Sequence, residues 1–275
     1  MYKFQTIFIS VVITFLSACG MAPHVSSAGI SVSPAIRPPA APPRWNPPQV
    51  AQWQIQLSSL PSVILPVDIY EIDGFDSNAQ EVAAMHAKGV HVICYMDAGT
   101  WENWRPDASS FPAAILGASN GWPGERWLDI RQLAIVAPLI LHRMDMCQSK
   151  GFDAVDPDNV DGFQNATGFA LTANDQLNFN RFVAQAAHQR GLAVGLKNDL
   201  TQIPNLIGTF DWSTDEQCFE YQECAALQPI VQAHKAVLEI EYHLDVAQFC
   251  PQANALNFNA LKKDINLTAY RVACR

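Results

Sequence analysis

Near the middle of the chain, a strand-like segment reads Gly151-Phe152-Asp153-Ala154-Val155-Asp156-Pro157-Asp158-Asn159-Val160-Asp161-Gly162-Phe163. Pro157 and Gly162 break the regular backbone, so we predict a strand that ends in a cluster of acids. Other predicted strands also end in a carboxylate or an amide, at residues 68–73, 94–97, 196–199, 211–216 and 239–243. A parallel barrel gathers these strand ends on one face, where its active site lies. The pattern is typical of an enzyme that uses carboxylates.

Strands and helices alternate along the body of the chain. The predicted strands cover residues 53–57, 67–72, 90–96, 152–156, 192–197, 210–213, 236–242 and 268–273, and the predicted helices cover residues 79–88, 133–150, 175–190 and 256–263. Eight strands in this rhythm predict an α/β fold, a (β/α)8 TIM barrel. An open, doubly wound sheet is the alternative, although no Gly-rich phosphate turn follows the first strand.

The first residues of the chain are typical of an export signal. Residues 7–16 form an apolar run that is too short to cross a bilayer, and Leu16-Ser17-Ala18-Cys19 matches a bacterial lipobox. We predict a lipoprotein signal peptide at residues 1–19, with Cys19 lipidated. The protein would then lie in the bacterial cell envelope, on the outer membrane in a Gram-negative host. Cleavage of an ordinary signal peptide and secretion is the alternative.

Composition divides the remaining chain into a tether and one domain. Residues 20–44 are rich in Pro, Ala and Ser and poor in aliphatic side chains, so we predict a disordered tether. Residues 45–275 are long enough for a single barrel domain, which we expect to be a monomer.

Charge and cysteine content restrict the partners. A formal net charge of −9 argues against nucleic acid and favours a cationic or neutral ligand. No His-x-His or His-Glu-x-x-His pattern occurs, so we expect no catalytic metal and no cofactor, with carboxylate-bound Ca²⁺ left open.

An even number of cysteines besides Cys19 predicts disulfides, and buried free thiols are the alternative. The favoured pairs are Cys218 with Cys224 and Cys250 with Cys274, which leaves Cys94 and Cys147.

A long insertion at residues 100–130 contains four of the seven tryptophans. Tryptophan rings stack on the apolar faces of sugars, which predicts a carbohydrate site and makes Trp101 a candidate contact. Packing over the top of the barrel is the other interpretation, and we expect one or two of these rings to touch ligand.

Several runs of sequence resemble family 114 of the glycoside hydrolases, which includes endo-α-1,4-polygalactosaminidases and spherulin-like proteins. They are Ile69-Tyr70-Glu71-Ile72-Asp73-Gly74-Phe75-Asp76, Cys94-Tyr95-Met96-Asp97-Ala98-Gly99, Trp127-Leu128-Asp129-Ile130, Asp153-Ala154-Val155-Asp156-Pro157-Asp158-Asn159-Val160-Asp161 and Lys197-Asn198-Asp199. The resemblance covers about residues 45–245. It implies a (β/α)8 barrel that hydrolyses α-1,4-linked galactosamine polymers with retention of configuration. Such a polymer is cationic when deacetylated, which suits an acidic mouth.

Retaining glycosidases need two carboxyl groups about 5 Å apart. The family pattern implies Asp158 as nucleophile, and Glu216, at the end of the sixth strand, is our candidate acid/base. Lys197 lies on the strand between them and is expected to keep the nucleophile ionised. Residues expected to bind substrate or support the pair are Asp73, Tyr95, Asp97, Trp101, Asp156, Asp161, Lys197, Glu241 and Tyr242.

Three other functions are weighed against this hypothesis. Lys197 could form a Schiff base, as in aldolases, although a tethered exported protein does not suit sugar-phosphate metabolism. A barrel lipoprotein that binds carbohydrate without cleaving it is a second possibility. A metal-dependent hydrolase that uses the aspartate cluster as ligands is the third.

Overall fold

The computed structural model describes residues 44–275. The predicted signal peptide, Cys19 and nearly all of the predicted tether therefore lie outside the described residues. The strands are β1 Trp53–Gln56, β2 Ile69–Asp73, β3 His91–Asp97, β4 Thr100–Glu102, β5 Leu116–Ser119, β6 Glu125–Leu128, β7 Ala154–Asp158, β8 Ala193–Lys197, β9 Trp212–Glu216, β10 Val237–Glu241, β11 Asn259–Lys262 and β12 Val272–Ala273. The α-helices are α1 Ala79–His86, α2 Leu133–Lys150, α3 Ala173–Gln189, α4 Ile203–Leu206, α5 Gln228–Gln232 and α6 Val246–Ala255.

Eight parallel strands form the curled sheet in the order β1-β2-β3-β7-β8-β9-β10-β11, and β12 adds antiparallel to β11. The predicted α/β TIM-barrel fold is confirmed. In β7, Ala154 belongs to the apolar cluster inside the barrel, whereas Val155 packs in the larger cluster outside it. Because side chains alternate along a strand, Asp156 and Asp158 share the inward side of Ala154.

The sequence-based assignment of the C-terminal part was wrong. Residues 256–263, predicted as a helix, contain β11, which pairs in parallel with β10 and supplies the eighth strand. Helix α6 ends before it, and residues 268–273 contain only the two-residue strand β12. Phe258 to Leu261 are all buried, and such a short buried run has no periodicity that separates a strand from a helix.

Side chains close the seam between β1 and β11, which form no backbone ladder with each other among the described residues. Trp53 Nε1 donates to the Asn259 carbonyl at 2.7 Å, and Lys263 Nζ donates to Gln54 Oε1 at 3.0 Å. Arg271, from the C-terminal segment, donates to the Trp53 carbonyl at 2.7 Å. These contacts hold the first and last parallel strands together.

Three disulfides confirm the favoured pairing. They are Cys94–Cys147, which joins β3 to α2, Cys218–Cys224 in the loop after β9, and Cys250–Cys274, which joins α6 to the C-terminal segment. Within residues 44–275, no helix is long and apolar enough to span a membrane.

The insertion after β3 forms a small antiparallel sheet in the order β4-β6-β5. Arg143 on α2 is fully buried and reaches into the base of this insertion, where it donates to Asp107 at 2.8 Å and to Glu102 at 3.3 Å. The insertion is therefore tied to the barrel by buried ion pairs.

Candidate active site

A cavity of about 460 Å³ opens at the C-terminal ends of the strands. Parallel strands bring their ends together there, so residues far apart in sequence meet. Six residues predicted for the site line it: Asp73, Tyr95, Asp158, Lys197, Glu216 and Tyr242.

Lys197 bridges the two candidate catalytic carboxyls. Its Nζ lies 2.9 Å from Asp158 Oδ1 and 3.0 Å from Glu216 Oε2. Lys197 ends β8, which lies between β7 and β9 in the sheet, so strand order places the ammonium between Asp158 and Glu216. Both carboxyls therefore face one point in the cavity.

Asp158 is held as an anion. Burial alone would raise the pKa of its carboxyl, but the Lys197 ammonium, the Tyr95 hydroxyl and the Asn159 backbone leave that pKa below its usual value. Tyr95 donates to Oδ2 at 2.8 Å, and the Asn159 N–H donates to Oδ1 at 2.9 Å. With Lys197, three donors fix the carboxylate.

Glu216 is fixed from two sides. The Tyr242 hydroxyl donates to Oε1, and Asn198 Nδ2 donates to Oε2 at 3.1 Å. The same Asn198 side chain accepts from the Glu216 backbone N–H at 3.0 Å and so clamps the end of β9. Asn198 has a positive φ of 56°, a conformation that asparagine adopts more readily than most residues.

A layer of buried acids lies beneath Lys197. Burial raises the pKa of Asp156 to about 6, although the Lys197 charge opposes this. Burial and the Asp156 charge raise the pKa of Glu71 well above its usual value. Gly195 on β8 leaves room for this layer, since a Cβ there would lie 2.7 Å from Asp156 Oδ1.

Lys197 itself stays charged. Burial lowers its pKa, but the charges of Asp158, Glu216 and Asp156 more than compensate and raise that pKa well above its usual value. A Schiff-base lysine must be neutral to attack a carbonyl. The environment of Lys197 therefore disfavours the aldolase-like interpretation.

The insertion supplies one wall of the cavity. Trp104 and Trp122 line it and are 48% and 45% exposed. Trp101, the sequence-based candidate, instead donates its indole N–H to the Ala108 carbonyl at 3.0 Å and packs against the core. The two exposed rings are better placed to meet a sugar.

Sequence reasoning missed several acidic and basic residues of this wall. Arg105 forms two contacts with Asp73, at 2.9 Å and 2.7 Å, and pairs with Glu102 at 2.7 Å. Glu125 accepts from Asn120 at 2.6 Å and from Asn159 at 2.9 Å. The sequence-based search for site residues considered the ends of barrel strands. Glu102, Arg105 and Glu125 lie in the insertion instead.

Besides Trp101, four predicted residues lie outside the cavity lining. Asp97 is buried and accepts from the Thr100 N–H at 2.7 Å and from Asn159 Nδ2 at 2.8 Å. Glu241 accepts from the Phe219 N–H at 2.8 Å, and Asp156 lies in the buried layer. Asp161 lines a neighbouring cavity. In these positions Asp97, Asp156 and Glu241 support the residues around the cavity.

Comparison with known proteins decides the family. The sequence model of glycoside-hydrolase family GH114 matches residues 35–275. The chain belongs to this family. The crystal structure of Aspergillus fumigatus Ega3 in complex with galactosamine is similar, with 38% identity and a TM-score of 0.81 over 85% of this chain and 99% of that one. This GH114 protein is therefore a glycoside hydrolase, as the resemblance implied.

Two further structures share the fold. The glycoside hydrolase domain of PelA from Pseudomonas aeruginosa has 14% identity and a TM-score of 0.65, over 81% of this chain and 98% of that one. An alpha-galactosidase from Thermus thermophilus has 11% identity and a TM-score of 0.52, over 79% of this chain and 59% of that one. No curated protein sequence matched the chain.

Proposed function

We propose that this GH114 enzyme cleaves α-1,4-linked galactosamine polysaccharide with retention of configuration. The observation that carries the mechanism is the single Lys197 ammonium that contacts both carboxyls, at 2.9 Å and 3.0 Å. These contacts bring Asp158 Oδ1 and Glu216 Oε2 within about 6 Å, closer than the roughly 6.5–9.5 Å of inverting glycosidases. A separation in this range supports retention.

The proposal assigns different roles to the two carboxyls. Ionised Asp158 attacks the anomeric carbon, while Glu216 gives its proton to the glycosidic oxygen, and the bond to the leaving sugar breaks. A glycosyl ester on Asp158 results. Glu216 then takes a proton from water, whose oxygen attacks the anomeric carbon and releases Asp158.

The charge of the cavity supports a cationic sugar. Its acidic lining includes Asp73, Asp76, Glu102 and Glu125 besides the catalytic pair. The cations at the cavity, Lys197 and Arg105, are already engaged in ion pairs. Similarity to a protein whose structure contains galactosamine supports the same sugar class. Trp104 and Trp122 offer faces on which its rings can stack.

Product analysis tests this function. The wild-type enzyme should release oligosaccharides from deacetylated α-1,4-galactosamine polymer, and NMR should detect the α-anomer first. Initial β-anomer would contradict retention. Binding without cleavage would favour the non-catalytic alternative, and loss of activity in EDTA would favour the metal-dependent hydrolase. Among residues 44–275, no group of three or more His, Cys, Asp or Glu side chains is placed to hold a metal ion.

We further propose that lipid on Cys19 and the Pro-rich tether attach the monomeric enzyme to the cell envelope. The Leu16–Cys19 lipobox supports this localisation. Cys19→Ala should move the protein from the membrane fraction to the soluble fraction, with unchanged specific activity on soluble polymer. A Cys19→Ala protein that stays in the membrane fraction would contradict lipid attachment.

A further inference from the structure

A second cavity of about 280 Å³ adjoins the first, and the two share Glu216 and Gln217 in their linings. Glu216 is the residue that we assign to protonate the glycosidic oxygen. The sugar that leaves must therefore extend beyond Glu216, away from the point where Asp158 attacks. The second cavity, which Glu216 also lines, offers space for that sugar.

The lining of this cavity is acidic. Asp161, Asp215 and Glu223 contribute carboxyls in addition to Glu216, and no Lys, Arg or His of the described residues lines it. A ligand with positive charge would suit this chemistry, whereas an anionic one would be repelled. Tyr221, in the same lining, is 62% exposed, which leaves a ring face free for stacking.

Asp215 provides an independent indication of a ligand. Asp215 lines the cavity although the residue is only 1% exposed, and its Oδ1 is buried without a hydrogen-bond partner among the described residues. Burial, and then the charges of Glu223 and Glu216, raise the pKa of this carboxyl well above its usual value. A buried acceptor without a donor is costly, and an ammonium group from a ligand would remove that cost.

We propose that the second cavity binds the amino sugar on the leaving-group side of the scissile bond, with Asp215 accepting from its ammonium group and Tyr221 stacking on its ring. This assignment rests on the proposed function. It gives the enzyme a binding site on each side of the catalytic pair, so a polymer can pass through both cavities and be cut internally.

Binding to an inactive enzyme tests the site. In an Asp158→Asn background, the affinity for a fully deacetylated α-1,4-galactosamine oligosaccharide long enough to fill both cavities is measured by calorimetry. Adding Asp215→Asn should weaken this affinity about tenfold, because asparagine cannot take the negative charge that a carboxyl gains opposite an ammonium group. The N-acetylated oligosaccharide should bind equally well with or without the second substitution. Asp145→Asn is the matched control, since Asp145 lies on α2, is largely exposed and pairs with Arg190.

Asparagine resembles the neutral form of Asp215, so the fold should be retained; unchanged thermal unfolding checks this. Tyr221→Ala is a second variant, and it should weaken both oligosaccharides because stacking does not depend on the amine. Equal affinity with and without Asp215→Asn would overturn the proposal, as would equal weakening of both ligands by that substitution. Failure of the proposed function can be distinguished from failure of this binding site, because the wild-type enzyme would then not cleave the polymer.

Discussion

Lys197 Nζ lies 2.9 Å from Asp158 Oδ1 and donates a hydrogen bond to it from the neighbouring strand. The side chains of both residues are largely buried, so water contributes little to the stability of either charge. Burial by itself would raise the pKa of Asp158, and the Lys197 charge is the largest effect that opposes it. The charge of the proposed nucleophile thus depends on a residue that need not touch the reacting atoms.

Lys197→Met should therefore shift the pH dependence of the enzyme. In the wild type the lowered pKa keeps Asp158 ionised at pH values at which an ordinary aspartate is partly protonated. Without the ammonium, burial raises that pKa, so the acid side of the kcat/KM profile should move to higher pH, and kcat should fall. Profiles of both enzymes on the deacetylated polymer measure this. An unchanged acid limb would show that Lys197 does not hold the charge of Asp158.

Substitution of either catalytic carboxyl should abolish most turnover. Asp158→Asn removes the nucleophile and Glu216→Gln removes the proton donor, so each should lower kcat at least about 10²–10⁴-fold. Circular dichroism should show an intact fold, because both substitutions preserve side-chain shape. Asp145→Asn, on α2 away from the cavity, should keep full activity. Near-wild-type turnover by Asp158→Asn or Glu216→Gln would refute that residue's role.

The barrel, and the grouping of Asp158, Lys197 and Glu216 in one cavity, could be predicted from the sequence for a shared reason. Strand ends converge in a parallel barrel, so a polar residue that follows a buried strand is informative, as Asp158, Lys197 and Glu216 show. Alternation along β7 puts Asp156 and Asp158 on the same side. Local patterns were sufficient where the fold itself brings the residues together.

The last parallel strand and the wall of the cavity formed by the insertion could not be predicted, because they depend on contacts that no local sequence pattern encodes. β11 forms because β10 offers an open edge beside Asn259–Lys262, which sequence periodicity alone could not indicate. Glu125 reaches the cavity through the pairing of β6 with β4, and its insertion has no counterpart in the barrel rhythm. Trp104 and Trp122 could not be separated from Trp101 by composition, since exposure decides which ring can meet a ligand.

The buried ion pairs that Arg143 forms between the insertion and the barrel should contribute to the stability of the fold. Arg143 is fully buried between Asp107 and Glu102, and its guanidinium lies 5.2 Å from the Phe75 ring centre. Arg143→Met should lower the free energy of unfolding by about 3–5 kcal/mol, because Asp107 loses its partner and buried Glu102 keeps only Arg105. Arg190→Met is the matched control. Its partner Asp145 is largely exposed, so that loss should cost at most about 1 kcal/mol. Urea denaturation of both variants measures the difference, and equal losses would contradict the argument.

The acidic cavity should make binding of a charged polymer depend on salt. Six carboxyls, those of Asp73, Asp76, Glu102, Glu125 and the proposed catalytic pair, line the cavity against two cations, Lys197 and Arg105. A negative potential should therefore extend from the opening. Screening acts over about 10 Å in 0.1 M salt, so the KM for deacetylated galactosamine polymer should rise as salt increases. The N-acetylated polymer has no such charges, and its KM should change little. Measuring both polymers from low to high salt separates charge attraction from general effects of salt on the enzyme. A preference for the acetylated chain that is insensitive to salt would contradict a cationic substrate, because the carboxylates would then attract nothing that the enzyme cleaves.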